Sequence, residues 1–507
     1  MQTSVNCAAL AGVSADLVKV EVDLALGLPA FMIVGLPEGA VRESKVRVLA
    51  ALSNCGYALP TRKVTVNLAP ANLKKNGSAF DLAIALGLLA GADLVNGSVL
   101  NKMMVIGELG LDGACRPVPG ALPYALRCKA SGIKKLLIAS ENAAEASVVN
   151  GVHVLPVPDL PTAVMHLTNE APIKPCEPAT IVPKQEFLDI DMSEVRGQEH
   201  AKRALEVAAA GAHNLIMIGP PGSGKTMLAR RLTTILPPLS FEEMLEVSAA
   251  HSVLGLTSAS KPLITTRPFR APHHTVSDAG LVGGSNPPRP GEVSLAHNGI
   301  LFLDELPEFK RHVLEVLREP LEGGSITISR ASGQATFPAS FNLVASMNPC
   351  PCGYFGTTDR PCTCGATQVE RYRSKISGPL LDRIDLHVEV PSVQVRELTD
   401  RGASETSALI RKRVIEAREV QKRRFKGTST RSNGQMSLKQ IHTHCELDTQ
   451  SRSLLERAIE HLGLSARAYA RILKMSRTIA DLEKSESILS AHLAEAIGYR
   501  NLDRNQA

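Results

Sequence analysis

The segment Gly219–Thr226 constrains the fold of this chain more than any other. It matches the pattern G-x-x-x-x-G-K-[ST], with the residues Gly219, Pro220, Pro221, Gly222, Ser223, Gly224, Lys225 and Thr226. An apolar run at 214–218 precedes it and a helical pattern begins at Met227, so the segment is predicted to join a buried strand to a helix. In that setting backbone N–H groups point at phosphate oxygens, Lys225 reaches the β and γ phosphates, and the Thr226 hydroxyl ligates Mg²⁺. The sequence therefore predicts an α/β core that binds a nucleoside triphosphate.

A phosphate loop of this kind needs an acidic partner on a neighbouring strand. The apolar run at 300–303 ends in Asp304 and Glu305, and Asp304 comes 79 positions after Lys225. We expect Asp304 to lie in the Mg²⁺ shell and Glu305 to polarise the attacking water. By itself, an apolar run that ends in two acids is equally consistent with a helix-capping pair. Its position after a phosphate loop favours the catalytic interpretation.

Two later residues are further candidates for the nucleotide site. Asn348 ends the apolar run 341–347, so it is expected to orient the water from the carboxyl end of a strand, although a plain turn residue is the alternative. Arg383 lies in the apolar segment 378–386. It is either a structural ion pair with Asp382 or Asp385, or a finger that reaches the γ-phosphate of a neighbouring subunit.

The 507 residues correspond to about three domains at roughly 150 residues per domain. Residues 1–165 are predicted to form an α/β unit, with strands at 18–24 and 63–68, a helix near 41–52 and another at 78–89. Seven prolines between Pro156 and Pro183 disfavour both helix and sheet pairing across that region, so a linker is placed at 166–186. A second α/β unit is predicted for 187–391, and helices for 392–507.

Composition sets limits on the partners. The net charge of +6, from 56 basic and 50 acidic residues, permits nucleic-acid binding without requiring it. Aromatic residues make up 3%, which disfavours a protein that works by stacking bases on aromatic side chains. Acidic residues and glycines interrupt the longest apolar run, 80–95, so no membrane span is expected. The start of the chain does not have the pattern of a secretion signal, and we expect a cytoplasmic protein.

Four cysteines form a cluster shortly after Asn348. They are arranged as two C-x-C units with nine residues between them, at Cys350, Cys352, Cys362 and Cys364. Four thiolates satisfy tetrahedral Zn²⁺, and the metal would serve as the core of a loop rich in Gly, Thr, Asp and Pro. Reduced buried cysteines and a redox switch are the alternatives. Because the loop lies between Asn348 and Arg383, we expect it near a subunit boundary, where it stiffens the interface or contacts DNA.

Several long motifs resemble those of a known family. The region from about 190 to 500 resembles the Mg-chelatase-like branch of AAA+ ATPases, and the whole chain resembles the ComM/YifB family. The motifs that carry the resemblance are 270–274 (RAPHH), 290–299 (PGEVSLAHNG), 303–307 (LDELP), 347–353 (MNPCPCG) and 381–383 (LDR). The resemblance implies ATP as the nucleotide and a homo-hexameric ring. It further implies that Asn348 is the sensor-one residue, Arg383 a finger acting in trans and Arg467 the sensor-two arginine of a helical lid, with Arg471 as the competing residue.

Two insertions are candidates for contact with DNA. Residues 326–337 have alternating flanks around a Ser-Gly turn, which predicts a β-hairpin with Arg330 near its tip. The segment 266–274, which contains Arg270, accounts for the long separation between the phosphate loop and Asp304. In related ring motors such elements line the pore, where a positive tip is sufficient to hold phosphates. A packed surface hairpin is the alternative.

The N-terminal unit resembles the proteolytic domain of Lon, which has an S5-like α/β fold, at residues 76–80 and 107–113. Ser78 falls where the resemblance places the serine nucleophile, but Leu122 occupies the position of the lysine that activates it. A serine without its base is expected to be inert. We therefore expect a proteolytically inactive domain that serves assembly or guides DNA.

The resemblance implies a hexameric DNA motor that drives branch migration and extends heteroduplex during recombination in natural transformation. Its partners would be single-stranded and branched DNA together with recombination proteins. The competing functions are metal insertion by a Mg-chelatase-type motor subunit and ATP-dependent unfolding or proteolysis.

Overall fold

The N-terminal part of the chain is built around a mixed seven-stranded sheet. The computed structural model describes residues 2–178, 190–330, 333–357, 360–392, 404–463 and 465–500. Parts of three predicted features lie outside these ranges: the end of the linker with the 186/187 boundary, Ser332 of the predicted turn, and the 391/392 boundary region from residue 393. Leu464, next to the lid motif, also lies outside.

The first sheet has the strand order β3-β4-β2-β1-β5-β8-β9. The antiparallel pairs are β1 with β2 and β2 with β4, whereas the pairs β3–β4, β1–β5, β5–β8 and β8–β9 are parallel. A short hairpin of β6 with β7 lies beside it. The strands are β1 (Gln2–Ala11), β2 (Ser14–Ala25), β3 (Ala30–Val34), β4 (Lys63–Ala69), β5 (Met103–Ile106), β6 (Glu108–Leu109), β7 (Cys115–Arg116), β8 (Lys135–Ala139) and β9 (His153–Val157).

The α-helices of this part cover the sheet. Their bounds are Gly39–Asn54, Asp81–Gly91, Gly97–Leu100, Ala121–Ala130, Ala143–Ala146 and Leu160–Leu167. The predicted helix at 78–89 begins three residues later, because the backbone carbonyl of Ala79 accepts the N–H of Gly107 at 3.0 Å. That bond ties Ala79 to the segment after β5, so helical pairing starts only at Asp81. The helix is fully buried along its length, which agrees with its apolar composition between Asp81 and Gly91.

The expectation that prolines exclude regular structure from about residue 155 onward is wrong for its first part. Pro156 lies in β9, which is an edge strand where a missing N–H is tolerated. Pro161 lies in the first turn of the helix Leu160–Leu167, where the proline N–H has no intrahelical role. Residues 168–178 form neither helix nor strand, yet the N–H of Cys176 donates to the carbonyl of Val154 at 2.8 Å. The described part of the predicted linker therefore packs against the N-terminal unit.

The second sheet is parallel and has the order β11-β14-β17-β10-β18. Its strands are β10 (Leu215–Ile218), β11 (Phe269–Arg270), β14 (Ile300–Leu303), β17 (Asn342–Met347) and β18 (Leu386–Glu389). Two antiparallel hairpins project from this unit: β12 (Gly283–Gly284) with β13 (Arg289–Pro290), and β15 (Ser325–Arg330) with β16 (Gly333–Pro338). The second is the hairpin predicted at 326–337. Buried aliphatic side chains cover both faces of the sheet, as expected for parallel strands.

Helices flank this sheet and form the C-terminal part. Around the sheet they are Glu199–Gly211, Lys225–Ile235, Phe241–Ser252, Asp278–Val282, Glu292–Leu295, Arg311–Glu315, Arg318–Gly323, Ala366–Arg373 and Gly378–Leu381. The C-terminal helices are Ser407–Arg424, Leu438–His444, Thr449–Leu462, Ala466–Leu482 and Ser490–Gly498. This layout confirms the predicted mixed α/β class with an α/β N-terminal part, a phosphate-loop core and a helical C-terminal part. No helix of the described residues is long and apolar enough to cross a bilayer.

A buried histidine joins the C-terminal helices to the sheet. The ring of His213 lies between Asp385, at 3.3 Å from Nδ1, and the hydroxyl of Thr478, at 2.8 Å from Nε2. Asp385 also accepts the backbone N–H of Asn214 and is paired with Arg471. A carboxylate this buried requires partners, so these contacts fix the helix Ala466–Leu482 to the start of β18.

The N-terminal unit contacts the core at two places. Glu145 accepts hydrogen bonds from the hydroxyls of Ser252 and Thr257, and from the N–H of Leu122 at 2.9 Å. Gly12, in the turn between β1 and β2, has φ of +65°, and a β-carbon there would lie 3.1 Å from the carbonyl oxygen of Thr336 in β16. The N-terminal unit therefore contacts the β15–β16 hairpin.

Candidate active site

The phosphate loop connects β10 to the helix Lys225–Ile235, as its sequence predicts. Gly222 and Gly224 have φ of +77° and +87°, which is left-handed backbone that other residues rarely adopt. A β-carbon at Gly219 would collide with the carbonyl oxygen of Val390. These constraints explain why three of the eight positions are glycine, and they leave the loop N–H groups and the helix N-terminus facing one concave site.

Lys225 lies at the centre of this site. Its Nζ atom is 2.8 Å from the carbonyl oxygens of both Gly219 and Pro220, and 3.3 Å from Oδ1 of Asn348. Burial lowers the pKa of Lys225, whereas the nearby carboxylates of Asp304 and Glu305 act in the opposite direction. The ammonium group is therefore held among oxygen atoms at the place where a phosphate would compete for it.

The residues expected to bind Mg²⁺ face each other across two strands. The Thr226 hydroxyl donates to Oδ2 of Asp304 at 2.9 Å. Oδ1 of Asp304 accepts the hydroxyl of Ser346, a residue of β17 that the motifs do not single out. Hydroxyl and carboxylate oxygens are ligands that Mg²⁺ prefers. The Thr226 hydroxyl and the Asp304 carboxylate lie together at the edge of the parallel sheet where ligands bind. This donor set fits a nucleotide-bound Mg²⁺.

Glu305 occupies strained backbone next to this pair. Its φ is +54°, and its N–H donates to Oδ1 of Asp304 at 3.1 Å. The side chain is exposed and points toward solvent-accessible space beside Asp304. Nδ1 of His274 lies 3.8 Å from its carboxylate, and the His274 ring packs edge-on against Phe309. Non-glycine residues in this backbone region concentrate at functional sites.

Two contacts at this site were not anticipated from the sequence. Besides the contact of His274 with Glu305, the side-chain amide of Gln198 donates to the carbonyls of Ser223, at 2.8 Å, and Pro391, at 3.1 Å. Gln198 itself has φ of +57°. The left-handed backbone of Gln198 before a helix is not visible in sequence spacing, whereas His274 lies in the motif at 270–274, which does not indicate its partner.

Arg383 is buried and paired within its own chain. Its guanidinium donates to Glu322 and to the carbonyl of Pro379. The predicted ion pair of Arg383 with Asp382 or Asp385 is wrong. Asp385 is paired with Arg471 and His213, and Asp382 lies nearest to Arg467. The Nε atom of Arg383 is buried without a hydrogen-bond partner among the described residues. Glu322 is 58% exposed, so this pair faces solvent on one side.

Other arginines surround Arg383. Burial lowers its pKa, and the charges of Arg318, Arg467 and Arg471 act in the same direction, with Glu322 opposing them. Of the two candidates for the lid arginine, Arg467 is 61% exposed and lies 3.7 Å from Asp382, whereas Arg471 is held by the buried Asp385. The guanidinium of Arg467 is therefore the more exposed of the two, and its role as the lid arginine stays a prediction.

The candidate DNA contacts differ in their charge balance. Arg330 ends β15 in an exposed position, and none of the described carboxylates lies within ion-pair distance of it. One Nη atom of Arg330 would lie 3.5 Å from a β-carbon at Gly284, which pairs with the exposed Arg289 in the neighbouring hairpin. The side chain of Arg330 therefore reaches the neighbouring hairpin, which carries the exposed Arg289. Arg270, in contrast, is bonded through two nitrogens to Glu292 at 2.6 and 2.7 Å, so its charge is already neutralised within the chain.

The four cysteines after Asn348 converge. The sulfur atoms of Cys350, Cys352, Cys362 and Cys364 lie within 4.8 Å of one another. This group is the one that the described residues offer as a cluster of metal-binding side chains. Backbone N–H groups of Thr363 and Tyr354 lower the pKa of the Cys352 thiol, whereas the pKa values of Cys362 and Cys364 are raised, because the neighbouring sulfurs outweigh their backbone hydrogen bonds.

Ser78 and Leu122 occupy the positions that resemble the nucleophile and the activating lysine of Lon. The Ser78 hydroxyl donates to Glu108, and Leu122 is a buried residue of the helix Ala121–Ala130. Lys75, the nearest lysine in sequence that is buried, donates instead to the carbonyls of Gly35 and Pro70. Among the described residues the printed partner of the Ser78 hydroxyl is thus a carboxylate, and the inactivity of this serine stays a prediction.

Three family descriptions match successive parts of the chain. "Magnesium chelatase, subunit ChlI" matches residues 191–398, "Subunit ChlI of Mg-chelatase" matches 20–142, and "Magnesium chelatase, subunit ChlI C-terminal" matches 404–500. The matched central range contains the phosphate loop, Asp304, Asn348 and Arg383.

Similarity to individual proteins extends over nearly the full length. The chain is 45% identical to competence protein ComM of Haemophilus influenzae, over 97% of this chain and 96% of that protein. It is 44% identical to YifB of Escherichia coli, over 99% and 97% of the two chains. The magnesium-chelatase 38 kDa subunit of Cereibacter sphaeroides is 27% identical over only 42% of this chain and 63% of its own length.

Proposed function

This chain belongs to the Mg-chelatase-like ComM/YifB family, whose AAA+ core is of the ATPase class, and from that premise we propose that it is an ATP-driven DNA motor. In this proposal the protein forms a homo-hexameric ring and promotes branch migration, which extends heteroduplex during recombination in natural transformation. Single-stranded and branched DNA are its substrates.

The proposed hydrolysis site has one role for each side chain. Lys225 and the loop N–H groups bind the β and γ phosphates, and Thr226 and Asp304 hold Mg²⁺, which neutralises phosphate charge when bound. Glu305 orients the attacking water and accepts its proton, and Asn348 holds the water in line. The distances from Lys225 to Asn348 and from Thr226 to Asp304 support these roles.

An adjoining subunit completes the site in this proposal. Arg383 would leave Glu322 and place its guanidinium against the γ-phosphate, where such a residue stabilises the transition state by about 10³–10⁵-fold in kcat. Arg467, which lies near Arg383 in the same chain, would contact the same phosphate from that adjoining subunit. The arginines clustered around Arg383, and the solvent-facing side of its ion pair, support an anion approaching from outside the chain.

DNA would be held by the two adjacent hairpins. Arg330 and Arg289 give them a positive edge, which binds phosphates without reading sequence. The N-terminal unit contacts the base of the β15–β16 hairpin near Gly12, so it would serve as a support for this element and not as a peptidase.

The observation that carries the choice of DNA is the similarity along the whole chain to a protein named for competence. The chelatase subunit of Cereibacter sphaeroides matches 42% of this chain, whereas the similarity to ComM and YifB covers 97% and 99% of it. Insertion of magnesium into a porphyrin and ATP-dependent unfolding are therefore the less supported functions.

Branch migration is the direct test. The wild-type protein should move three-strand and four-way DNA junctions only with hydrolysable ATP, and Lys225→Ala should not, because the phosphates lose their main cation. Lys439→Ala, at an exposed position of the C-terminal part, is a matched control that should behave like the wild type. Failure of the wild type to migrate either junction would remove the DNA function, even if ATP were hydrolysed.

A further inference from the structure

The cysteine cluster lies directly against the nucleotide site. Asn348 directly follows β17 and lies two residues before Cys350, and Cys362 and Cys364 come just before the helix Ala366–Arg373. Cys350 and Cys352 lie at one end of the connecting loop, and Cys362 and Cys364 lie at the other. Any ion that fixes the cluster therefore also fixes the segment that carries Asn348.

The sulfur positions suit one tetrahedral ion. Cys350 and Cys352 are 3.3 Å apart, and Cys362 lies 3.7 Å and 3.6 Å from them. Four sulfurs at about 2.3 Å from a zinc ion would be about 3.8 Å from one another, close to these separations. Because all four sulfurs share one centre, the arrangement favours a single ion over two separate disulfide pairs.

The surroundings of the sulfurs also suit thiolates. Backbone N–H groups of Cys352, Phe355 and Cys364 donate to sulfur atoms at 3.3 to 3.4 Å. Such outer hydrogen bonds orient metal ligands and offset their negative charge. Three of the four cysteines are only partly buried, so the cluster is not an ordinary apolar core of reduced thiols.

A second contact joins the loop to the phosphate site. Gly353 has φ of +88°, and a β-carbon there would lie 2.5 Å from Cδ of Pro221. Pro221 is an exposed residue of the phosphate loop. The cysteine loop is thus seated on the phosphate loop at Gly353 and continuous with Asn348, which contacts Lys225 at 3.3 Å.

We propose that Cys350, Cys352, Cys362 and Cys364 bind one Zn²⁺ that holds Gly353 against Pro221 and Asn348 beside Lys225, so that zinc occupancy sets nucleotide affinity. The inference rests on the proposed ATP site, but it does not depend on the DNA function. Gly353 and the cysteines are positioning residues, because they act through Pro221 and Asn348.

Two measurements on the full chain test it. Elemental analysis of protein purified without chelator should find one zinc per chain, and none in the double variant Cys362→Ser/Cys364→Ser. Titration with a fluorescent ADP analogue should then show about tenfold weaker binding by that variant, which is within the usual range of coupling between two sites. Circular dichroism checks that the variant is folded.

Gly353→Ala tests the contact of the cysteine loop with Pro221 in a variant that keeps all four cysteines. It should keep its zinc but bind the ADP analogue more weakly, because its methyl group displaces Pro221. Gly356→Ala is the matched control: Gly356 lies in the same loop with φ of +75°, but a β-carbon there would have no neighbour within 4 Å. It should keep both zinc and affinity.

Several results would overturn the inference. They are the absence of zinc from the wild type, iron in place of zinc, or equal nucleotide affinity in the Gly353 and Gly356 variants. If the cysteine variant does not fold, the comparison of the two glycine variants still decides whether the loop sets affinity. Zinc-bound wild type that binds no nucleotide would instead refute the proposed ATP site.

Discussion

The hydroxyl of Thr226 lies 2.9 Å from Oδ2 of Asp304, although the two residues are 78 positions apart. The contact exists because β10 and β14 lie on either side of β17 and both pair with it in parallel. The carboxyl ends of β10 and β14 therefore lie at the same edge of the sheet. Nearly eighty residues of intervening chain, with the segment of Arg270, are accommodated without disturbing this edge. The next residue, Glu305, is the one that we expect to accept the proton of the attacking water.

Replacing Glu305 by glutamine should separate binding from hydrolysis. The amide keeps the size of the side chain but cannot accept a proton, so ATP turnover should fall by about 100-fold or more while ATP affinity stays near that of the wild type. Glu308→Gln is the control, since Glu308 is three residues away, exposed and paired only with Lys375. Steady-state phosphate release and nucleotide binding measure the two effects. Equal turnover in the two variants would remove Glu305 from the reaction.

A mixing experiment tests whether Arg383 acts on the neighbouring subunit. Lys225→Ala and Arg383→Ala should each be inactive alone. When the two are mixed and allowed to exchange subunits, interfaces that combine an intact phosphate loop with an intact Arg383 should restore part of the ATPase activity. An arginine that acts within its own chain would give no restoration in the mixture, provided that each variant assembles.

The partner of Arg383 gives an independent check. Glu322→Gln should preserve ATPase activity or raise it, because the guanidinium no longer has to leave a carboxylate before it reaches phosphate. Phosphate release by the assembled protein measures this. A loss of activity as large as that of Arg383→Ala would mean that Glu322 takes part in the reaction and does not merely store the arginine.

Sequence reasoning located the nucleotide site but not its supporting contacts. The strand-loop-helix around Lys225, the acids after β14 and the hairpin around Arg330 follow from local patterns, because apolar alternation and glycine positions encode them directly. The partners of Arg383 and Gln198 depend on where distant segments fold, so Asp382 and Asp385 were reasonable guesses that the actual packing of Glu322 overrides. The prediction that prolines exclude helix and strand after residue 155 failed for a local reason. Pro156 lies in an edge strand and Pro161 in the first turn of a helix, where a missing N–H costs little.

DNA binding should respond to the tip of the β15–β16 hairpin. Arg330→Ala should weaken binding to different sequences by a similar factor and reduce the slope of log affinity against log salt by about one. Fluorescence anisotropy at several salt concentrations measures both. Arg423→Ala, an exposed arginine of the helix Ser407–Arg424, serves as the control. An unchanged salt slope in Arg330→Ala would exclude a phosphate contact.

The docking of the C-terminal helices should depend on pH through Asp385. Burial tends to raise the pKa of this carboxyl, but Arg471 and His213 together hold it well below the usual range. The carboxylate therefore stabilises the fold above about pH 4, and its contribution is lost as the pH falls further. Asp385→Asn should cost about 3–5 kcal/mol at pH 7, as expected when a buried pair is broken, and about 1 kcal/mol less near pH 3, where only the unfolded carboxyl has taken up its proton.

Urea unfolding followed by circular dichroism at pH 7 and at pH 3 to 4 measures this difference. Asp382→Asn is the control, because Asp382 is partly exposed and lies 3.7 Å from Arg467, a pair worth at most about 1 kcal/mol. A difference between wild type and Asp385→Asn that does not shrink in acid would contradict the assignment.

The most direct test of the motor is the rate of ATP hydrolysis by the assembled wild-type protein with different partners present. Four-way junction DNA should accelerate hydrolysis, and Glu305→Gln should abolish the accelerated rate, whereas casein or the partner subunits of a magnesium chelatase should leave the basal rate unchanged. Hydrolysis that only casein or the chelatase partners stimulate, or no hydrolysis at all, would contradict an ATP-driven motor that acts on DNA.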